Sequence, residues 1–536
     1  MVESPFLASS LSSPLEGQVH IADGGSEQRS WAELWNTASH VASGLDSRGV
    51  DPDDLVIVYG SSSFQTIEAC LGIWLLGAKV SIAPRNLSRS GPLQRSRRPS
   101  PLPRGGRVHA VVTTDSVSNT ASDSDVASDV SPAYSVNDLR ATKTAISLSS
   151  ISPEADDIAI VQWSSGSTGA PRAIEISHGQ LDICLRSMER RVGGVNEVFA
   201  GWLPLWHDMG LIGLFAHALH TGAPLTLVPP ERFLRRPSSW LEAVSLSGAT
   251  FSPAPNFAYS MLAMSEKGSS HLDLGAWRTA VNGAEPIDRL SVERFATAYA
   301  PAGFDASSFR FAYGLAEATL TVTMSERGSG PRFDRVDAQK LEVSREASAI
   351  GSDGHARHLA LLGRPIAGVS LRVIDERGDT LVDRHVGHVE VAAPFVAGGS
   401  IRRDGWLPTG DLGYLVDEEL VVTGRSKDVI IVGGRNLDPH EIETLLAEEA
   451  NIRRGRTIIF GVPTSGGTEG VVVVAEDPDG DLSDTIVARI RTLLREEFGI
   501  RPYDVVLIER GGIPKTTSGK LRRAEARRRW LEGTLA

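Results

Sequence analysis

Several short segments of this chain combine residue types that can bind a phosphate or a sugar. The first is SSGSTGAPR, from Ser164 to Arg172, directly after the apolar stretch 158–163. Its glycines permit a tight turn, and its hydroxyl and backbone N–H groups can surround a phosphate. It lacks the GK[ST] ending of the common phosphate-binding loop, so it does not predict a generic NTPase. A plain surface loop is the alternative interpretation.

The segment YGLAEATL, from Tyr313 to Leu320, offers an aromatic ring and a carboxylate. Tyr313 can stack on a planar base, and Glu317 has the oxygen ligands that Mg²⁺ prefers. A helix start with an incidental acid would produce the same pattern. This segment is therefore weak evidence when it is taken alone.

Two further segments lie nearer the C-terminus. Residues 408–436 contain Asp411, which can accept two hydrogen bonds from a ribose diol, and Arg425, which lies at a predicted strand end. Residues 516–523, TTSGKLRR, place Lys520 after a flexible Ser-Gly turn. A lysine there can reach into a distant site as a mobile point charge.

Alternating strands and helices must position these residues. Helical spacing of apolar residues predicts a helix within 30–50 and another over 64–76. Short apolar runs predict buried strands at 55–59, 79–82 and 158–163. The alternation continues past residue 320 and predicts an α/β fold with a parallel sheet and helices on its faces.

The pattern changes in the second half of the chain. Residues 325–358 are polar and irregular and are interpreted as an insertion, and short strands over 362–426 predict a β-rich subdomain. We predict a large N-terminal domain over 1–426 and a small, mobile α+β domain over 427–536.

Composition excludes several classes of protein. The chain has 536 residues, and 54 Lys and Arg against 66 Asp and Glu give a net charge of -12, which argues against a nucleic-acid partner. Two distant cysteines, Cys70 and Cys184, exclude a disulfide framework and suit a reducing compartment. The N-terminus has no signal-peptide pattern, and the most apolar stretch, 69–78, is about half the length of a membrane span. We expect a cytoplasmic protein that does not bind membranes.

Taken together and in this order, the segments resemble the adenylate-forming superfamily of acyl-CoA synthetases, fatty acyl-AMP ligases, peptide-synthetase adenylation domains and luciferases. The resemblance covers about residues 28–530 and implies αβαβα-type layered sheets in the large domain. Among these groups, the motif sequences are most similar to those of the fatty acyl-AMP ligases. That similarity lies in GWLPLWHDMGLIG (201–213), SPAPNFAY (252–259), VNGAEPI (281–287), YGLAEATL and the insertion.

Members of this superfamily catalyse two half-reactions. A carboxylate attacks the α-phosphate of ATP to give acyl-AMP and pyrophosphate, and a thiol then attacks the acyl carbon and releases AMP. Because an anion attacks a polyanion, Mg²⁺ and fixed cations must neutralise charge. The resemblance therefore implies ATP or acyl-AMP, Mg²⁺, and either CoA or the phosphopantetheine of an acyl carrier protein.

The resemblance also implies a role for each motif residue. Lys520 meets the carboxylate and the α-phosphate, His207 is the gate between the acid pocket and the thiol tunnel, Glu317 holds Mg²⁺, and Arg172 ends the phosphate loop. The implied nucleotide-binding residues are Ser164, Ser165, Gly166, Ser167, Thr168, Gly169, Asn282, Gly283, Ala284, Glu285, Tyr313, Gly314, Asp411 and Arg425.

The same resemblance places a hinge at Lys427, about which the C-terminal domain rotates to present a glycine hairpin for the thiol step. The implied thiol-tunnel residues are Gly433, Gly434 and Asn436. The implied acyl-pocket residues are Trp206, Asp208, Met209, Gly210, Asn256, Phe257, Leu315 and Ala316. These side chains suit a bulky apolar carboxylic acid, and an amino acid substrate is disfavoured although Asp208 is acidic.

Three departures from the usual motifs, together with the insertion and a basic C-terminal run, leave the acceptor and the first half-reaction open. Arg172-Ala173 replaces a common Lys-Gly pair, which is either tolerated drift or a defect that leaves only thioester formation from preformed acyl-AMP. The glycine pair 433–434 favours CoA, and the Arg-rich segment 85–107 is either a solvated loop or a site for the CoA 3′-phosphate. In acyl-AMP ligases such an insertion is associated with loss of CoA activity because it restrains the C-terminal domain. Here it is hydrophilic and contains glycines, so that restraint stays an open question. The basic run 515–529 is a solvated helix face or a docking site for a carrier protein.

We therefore predict an acid–thiol ligase with CoA as the favoured acceptor. The alternatives are a fatty acyl-AMP ligase that loads a carrier protein, a ligase restricted to thioester formation, a non-catalytic adenylate-binding protein and a luciferase-like enzyme. The binding protein is disfavoured because such a protein has no need of Lys520.

Replacement of Lys520 by alanine separates the two half-reactions. We expect Lys520→Ala to lower acyl-AMP formation from acid and ATP by at least about 10²-fold, because one fixed charge is lost. Thioester formation from supplied acyl-AMP should be retained, and both steps are measured by mass spectrometry. Equal loss of both steps would contradict the assigned role.

Overall fold

The computed structural model describes most of the chain. The described residues are 6–13, 15–25, 27–83, 108–114, 132–142, 144–146, 153–164, 172–193, 196–264, 271–350, 356–397, 400, 403–433, 435–450, 452, 455–464, 469–476, 484–515 and 521–535. The Arg-rich segment 85–107, the loop 165–171, Gly434 and Lys520 lie outside them.

The described elements alternate between strands and helices. The strands are β1 Gln18–Ile21, β2 Gln28–Ser30, β3 Leu55–Tyr59, β4 Lys79–Ala83, β5 Val108–Thr113, β6 Ala133–Ser135, β7 Ile158–Ser164, β8 Arg172–Ser177, β9 Phe199–Gly201, β10 Leu225–Leu227, β11 Phe251–Ala254, β12 Thr279–Gly283, β13 Phe309–Gly314, β14 Thr321–Met324, β15 Phe333–Asp337, β16 Ala356–Ala360, β17 Arg364–Pro365, β18 Ser370–Ile374, β19 Gly387–Ala392, β20 Leu407–Val416, β21 Glu419–Arg425, β22 Ile430–Val432, β23 Arg435–Leu437, β24 Thr457–Pro463, β25 Glu469–Glu476 and β26 Asp504–Ile508.

The helices follow the same chain order. They are α1 Phe6–Ser12, α2 Trp31–Asp46, α3 Phe64–Leu75, α4 Val136–Arg140, α5 His178–Val192, α6 Asp208–Gly210, α7 His217–Thr221, α8 Pro230–Arg235, α9 Ser238–Ser247, α10 Asn256–Ala263, α11 Arg289–Tyr299, α12 Ala338–Ser344, α13 Pro439–Glu449, α14 Asp484–Glu497 and α15 Arg523–Leu531. Residues 211–216 form a π-helix between α6 and α7, and Ala300–Ala302, Ala306–Ser308 and Ala316–Ala318 form 3₁₀ turns.

The chain divides into two compact units. Unit 1 comprises residues 1–332, 362–370 and 391–407, and unit 2 comprises 333–361, 371–390 and 408–536. The C-terminal residues therefore group with the insertion and with much of the β-rich segment. The domain boundary and hinge at Lys427 stay a prediction.

Unit 1 is built on two sheets that are mainly parallel. A six-stranded sheet has the order β6-β5-β3-β4-β7-β8, and a nine-stranded sheet has the order β17-β14-β13-β12-β11-β9-β10-β1-β2. Helix α5 contacts β7 in the first sheet and β14 in the second. The predicted α/β class is confirmed, and the strand predicted at 55–59 is β3.

Local sequence signals explain how the first helices of unit 1 form. Ser30 and Glu33 form a reciprocal capping box that satisfies backbone N–H groups at the start of α2. Its apolar face packs on α3, where Gly72 lets the two helices approach. A Cβ at Gly72 would lie 2.8 Å from a methyl group of Val41. The helical periodicity read from the sequence thus reports a buried contact between helices.

Unit 2 contains the segment that was predicted to be irregular. Residues 333–344 instead form β15 and α12, residues 356–360 form β16, and β15 pairs with β16 in antiparallel register. Val336, Leu341 and Ala347 from this segment enter an apolar core with Tyr414 and Val421 of β20 and β21. Polar composition concealed this structure because few apolar residues are needed to anchor so short a segment.

The C-terminal part of unit 2 has its own apolar core. Strands β24, β25 and β26 form a three-stranded sheet, and α13 and α14 contribute Ile442, Leu446, Ile490 and Leu494 to its core. These helices and strands agree with the α+β class that was predicted for this region. Within the described residues, no helix is both long and apolar enough to cross a membrane.

Both cysteines are buried without a disulfide bond. Burial raises the pKa of the Cys184 thiol to about 12 and raises that of Cys70 as well. The two thiols therefore stay protonated and act as small apolar side chains.

Two histidines of unit 1 are buried in their neutral form. Burial lowers the pKa of His178 to about 4 and that of His217 to about 3, and the charge of His220 adds to the second effect. Phe6 of α1 stacks on the His178 ring, with centroids 6.2 Å apart. An unfolded histidine has a pKa of about 6.5, so the unfolded chain binds more protons than the folded chain below that pH.

We expect the stability of unit 1 to fall as the pH drops from about 6.5 towards 4. Each of these histidines contributes up to about 1.4 kcal/mol per pH unit in that window. Urea unfolding followed by tryptophan fluorescence measures it, since nine of the ten tryptophans belong to unit 1. His217→Asn should give a shallower slope than the wild type. Identical slopes in the two proteins would contradict the assignment.

Candidate functional site

Outside the phosphate loop, the predicted site residues of unit 1 lie at one edge of the nine-stranded sheet. Strands β9, β11, β12 and β13 run parallel, with Phe251 opposite Phe199 and Ala254 opposite Asn282. Their carboxyl ends therefore lie at the same edge, which is where parallel α/β sheets bind ligands. The segments 202–210, 255–257, 284–285 and 314–317 all follow these strand ends.

Close backbone contact shapes the end of β12. A Cβ at Gly283 would lie 2.6 Å from the carbonyl oxygen of Ala312, and Ala284 has a φ of +67°. The Glu285 carboxylate accepts a hydrogen bond from the Phe257 N–H at the start of α10. The chain therefore leaves the strand in a sharp turn that is tied to the neighbouring helix.

Two buried asparagines lie beside this turn. The Asn282 amide donates to Asn256 Oδ1 at 3.1 Å, and both side chains are buried. Asn282 Oδ1 has no hydrogen-bond partner among the described residues. Both residues were predicted for the site, and the structure brings them together.

Glu317 lies in a tight turn after β13. A Cβ at Gly314 would lie 1.9 Å from the carbonyl oxygen of Leu320, so only glycine fits. The Leu315 N–H donates to that same oxygen at 3.0 Å, and Glu317 sits half-buried in the 3₁₀ turn between them. The ladder between β13 and β14 shifts register at Tyr313 and Gly314.

The carboxylate of Glu317 fits Mg²⁺ chemistry. The described residues include no cluster of three or more His, Cys, Asp or Glu side chains that could hold a metal. Mg²⁺ seldom needs one, because it is usually bound by one or two carboxylates together with substrate phosphates and water. A single half-buried carboxylate at a sheet edge is sufficient for that arrangement.

The predicted gate residue begins a short helix. His207 Nδ1 lies 2.6 Å from Asp208 Oδ1, and the Met209 N–H donates to that carboxylate oxygen at 2.7 Å. Asp208 is thus engaged with its own neighbours, and its part in the acyl pocket stays a prediction. Met209 and Gly210 are buried. The π-helix that follows was not predicted, and such segments often mark functional sites.

Aromatic side chains cluster around the same segment. Trp202 stacks on Phe233 with ring centroids 3.8 Å apart and meets Phe257 edge-on at 5.7 Å. Within the described part of the chain, the indole N–H groups of Trp202 and Trp206 are buried without a partner. Phe233 was missed because its helix carries no motif.

A hairpin closes the loop predicted to bind phosphate. Ser164 in β7 pairs with Arg172 in β8, and the Arg172 side chain is exposed. The predicted phosphate contacts Ser165, Gly166, Ser167, Thr168 and Gly169 lie outside the described residues. Helix α5 starts directly after β8, with Ser177 and Gln180 in a capping box.

Unit 2 brings the predicted ribose pair together. Asp411 lies opposite Arg425 in the β20–β21 hairpin, and Arg425 Nε is 3.3 Å from Asp411 Oδ1. Asp411 is buried, and its N–H donates to the Thr409 hydroxyl at 3.1 Å. Arg425 and Lys427 are exposed. The two carboxylate oxygens of Asp411 can accept hydrogen bonds from the two hydroxyl groups of a diol, and the exposed Arg425 lies beside them.

The glycine hairpin of unit 2 is held by the inserted segment. Glu342 of α12 is buried and binds Arg435 of β23 through two nitrogens, at 2.9 Å and 2.5 Å. The Asn436 side chain donates to the Glu342 carbonyl at 3.0 Å. Gly433 has a φ of +57°, and a Cβ at this position would have no described atom within 4 Å apart from its chain neighbours. None of these contacts was predicted from the sequence.

A second set of charges extends this contact to α13. Arg357 of β16 lies 3.1 Å from Glu441 and 3.6 Å from Asp438. Burial raises the pKa of Glu441 to about 7, while Arg357 acts in the opposite direction. The inserted segment therefore contacts both the hairpin and the helix that follows it.

Comparison with known proteins identifies the family. A family model described as AMP-binding enzyme matches residues 14–400. FadD26 of Mycobacterium marinum, a long-chain-fatty-acid–AMP ligase, is 31% identical over 545 residues and aligns with 94% of this chain and 91% of its own. JamA of Moorena producens, a medium-chain-fatty-acid–[acyl-carrier-protein] ligase, is 34% identical over 411 residues, which are 71% of this chain and 69% of JamA.

A solved structure gives the same result. It comes from structural and functional studies of fatty acyl-adenylate ligases from E. coli and L. pneumophila. It matches with a TM-score of 0.88 and 28% identity, over 99% of this chain and 98% of its own. The chain therefore belongs to the AMP-binding enzyme family and is an acyl-adenylate-forming ligase of the fatty acyl-AMP ligase type.

Proposed function

We propose that this ligase converts a bulky apolar carboxylic acid into its acyl-AMP and transfers the acyl group to the phosphopantetheine thiol of an acyl carrier protein. The observation that carries the proposal is the contact between the buried Glu342 carboxylate and Arg435. The carrier-protein activity in the printed name of JamA supports the same acceptor. CoA, which the glycine pair favoured, becomes the alternative acceptor.

The contact with Glu342 bears on the acceptor because it acts on the thiol hairpin. Arg435 follows the glycine pair directly, and its guanidinium also donates to the Phe498 carbonyl. Leaving a buried carboxylate without its partner is costly, so the hairpin is held to the inserted segment. A carrier protein adds the binding energy of its own surface, whereas free CoA must bind through its small-molecule groups alone.

The residues divide the adenylation step among them. The acid binds among Trp206, Phe257 and the π-helix, and Asp411 with Arg425 holds the ribose. Lys520 and Arg172 supply positive charge to the carboxylate and the phosphates. Glu317 would hold Mg²⁺, which when bound would neutralise negative charge on the phosphates. His207 separates the acid pocket from the path of the incoming thiol.

Asp411→Asn tests the ribose contact. We expect the KM for ATP to rise by about 10- to 100-fold with a smaller change in kcat, because one charged acceptor is lost in ground state and transition state alike. Pyrophosphate exchange with a saturating acid measures both constants. Asp417→Asn is the matched control, since Asp417 is exposed at the tip of the same hairpin. A KM unchanged in Asp411→Asn would overturn this role.

Glu342→Gln tests the acceptor. The substitution keeps the shape of the side chain but removes its charge, so the hairpin should loosen. In a competition between holo carrier protein and CoA, we expect the acyl-CoA fraction to rise about tenfold, which corresponds to about 1.4 kcal/mol. Mass spectrometry of both products gives the ratio.

Glu346→Gln in the same inserted segment is the matched control, because Glu346 contacts Ser348 rather than the hairpin. It should leave the product ratio at the wild-type value. If the wild-type enzyme forms acyl-CoA as readily as it acylates the carrier protein, the proposed acceptor is refuted. An unchanged ratio in Glu342→Gln would refute the part assigned to this contact.

A further inference from the structure

Thr319, two residues after Glu317, has an unusual backbone conformation. Its φ is +62° and its ψ is −58°, and its side chain is fully buried. The Leu320 N–H donates to the Ala318 carbonyl at 2.6 Å and closes a γ-turn around Thr319. A β-branched residue in this region of backbone space is strained and persists only when its surroundings hold it there.

The segment Phe395–Ala397 holds this turn by hydrogen bonds at Glu317 and at Thr319. The Thr319 hydroxyl donates to the Phe395 carbonyl at 2.6 Å. The Ala397 N–H donates to the carbonyl of Glu317 itself at 2.8 Å. Phe395, Val396 and Ala397 are all buried, so these bonds are shielded from water.

The same segment also contacts α5, the helix that follows the β7–β8 hairpin. We call this hairpin, which flanks the predicted phosphate loop, the phosphate hairpin. The Gln180 amide donates to the Val396 carbonyl at 2.6 Å. The amide oxygen of Gln180 meanwhile accepts a hydrogen bond from the Ser177 N–H in the capping box of α5. Three consecutive residues therefore connect the turn that carries Glu317 to the start of α5, which follows β8 without a gap.

We propose that Thr319 and Gln180 are positioning residues that fix the Glu317 carboxylate relative to the phosphate hairpin through the segment Phe395–Ala397. This inference rests on the proposed function, because it needs Mg²⁺ shared between Glu317 and nucleotide phosphates. Groups that orient a metal ligand affect metal affinity by about 10- to 100-fold when they are removed. The hydrogen bonds to Phe395 and Ala397 hold the strained turn in place, and the bond from Gln180 to Val396 connects that segment to α5.

Three variants test the proposal. Thr319→Val keeps the β-branched shape and removes the hydroxyl, and Thr319→Ser keeps the hydroxyl. Gln180→Glu keeps the oxygen that accepts from Ser177 and removes the amide that donates to Val396. If Thr319→Val does not fold, Gln180→Glu still tests the connection.

The measurement is calorimetric binding of α,β-methylene ATP with and without Mg²⁺, together with the Mg²⁺ concentration that half-saturates pyrophosphate exchange. We expect Thr319→Val and Gln180→Glu to weaken Mg²⁺-dependent nucleotide binding about tenfold, while binding without Mg²⁺ changes less than twofold. Thr319→Ser should restore the wild-type Mg²⁺ dependence. The double variant should lose little more than either single variant, because both act through one segment.

Other outcomes would overturn the proposal. A lower melting temperature with an unchanged Mg²⁺ dependence would reduce Thr319 to a stabilising residue. Equal weakening of binding with and without Mg²⁺ would show that the nucleotide pocket, and not Glu317, is disturbed. If the wild-type protein binds the analogue with Mg²⁺ but catalyses no exchange, the proposed function is refuted. The binding measurements on the variants then still test the positioning role.

Discussion

The backbone approaches itself so closely at Gly314 that a methyl group there would sit 1.9 Å from the Leu320 carbonyl oxygen. That approach lets the chain leave β13, turn within six residues and return as β14 beside it. The turn carries Glu317, and its geometry leaves Thr319 in a strained conformation. Gly283 makes a similar approach at the end of β12. Glycines at these two strand ends therefore permit the tight turns at the edge of the sheet. The functional groups lie on those turns.

Unit 2 depends on a different kind of interaction. Glu342 and Arg435 form a charge pair in which the carboxylate is almost fully removed from water and the guanidinium is partly exposed. Such pairs add little net stability, but removing one partner is expensive. Their effect is to select one arrangement of the inserted segment and the glycine hairpin. The insertion thereby becomes a structural part of the C-terminal region, although it lies more than 60 residues earlier in the sequence.

The sequence predicted regular elements well where one physical signal dominated. The apolar run that forms β3 and the periodicity of α2 are examples, since burial alone explains both. The pairing of Asp411 with Arg425 followed from motif residues that lie on adjoining strands. The inserted segment was misjudged because a few contacts over long sequence distances fold it, and composition does not report such contacts. Thr319 and Phe395–Ala397 were also missed because their contacts join residues far apart in the sequence. In addition, none of them belongs to a motif that indicates chemistry.

The burial of Cys70 and Cys184 has a consequence for an enzyme that makes activated acyl groups. An acyl-adenylate acylates any accessible thiolate, but this chain has only these two cysteines and both are protonated and enclosed. The protein therefore offers its intermediate no sulfur nucleophile of its own, and the acyl group waits for the acceptor. For the same reason, we expect the native cysteines to react little with thiol-specific reagents. A cysteine introduced on the surface would be the site that maleimide reagents modify, so fluorescent pairs can be attached without first removing the native thiols.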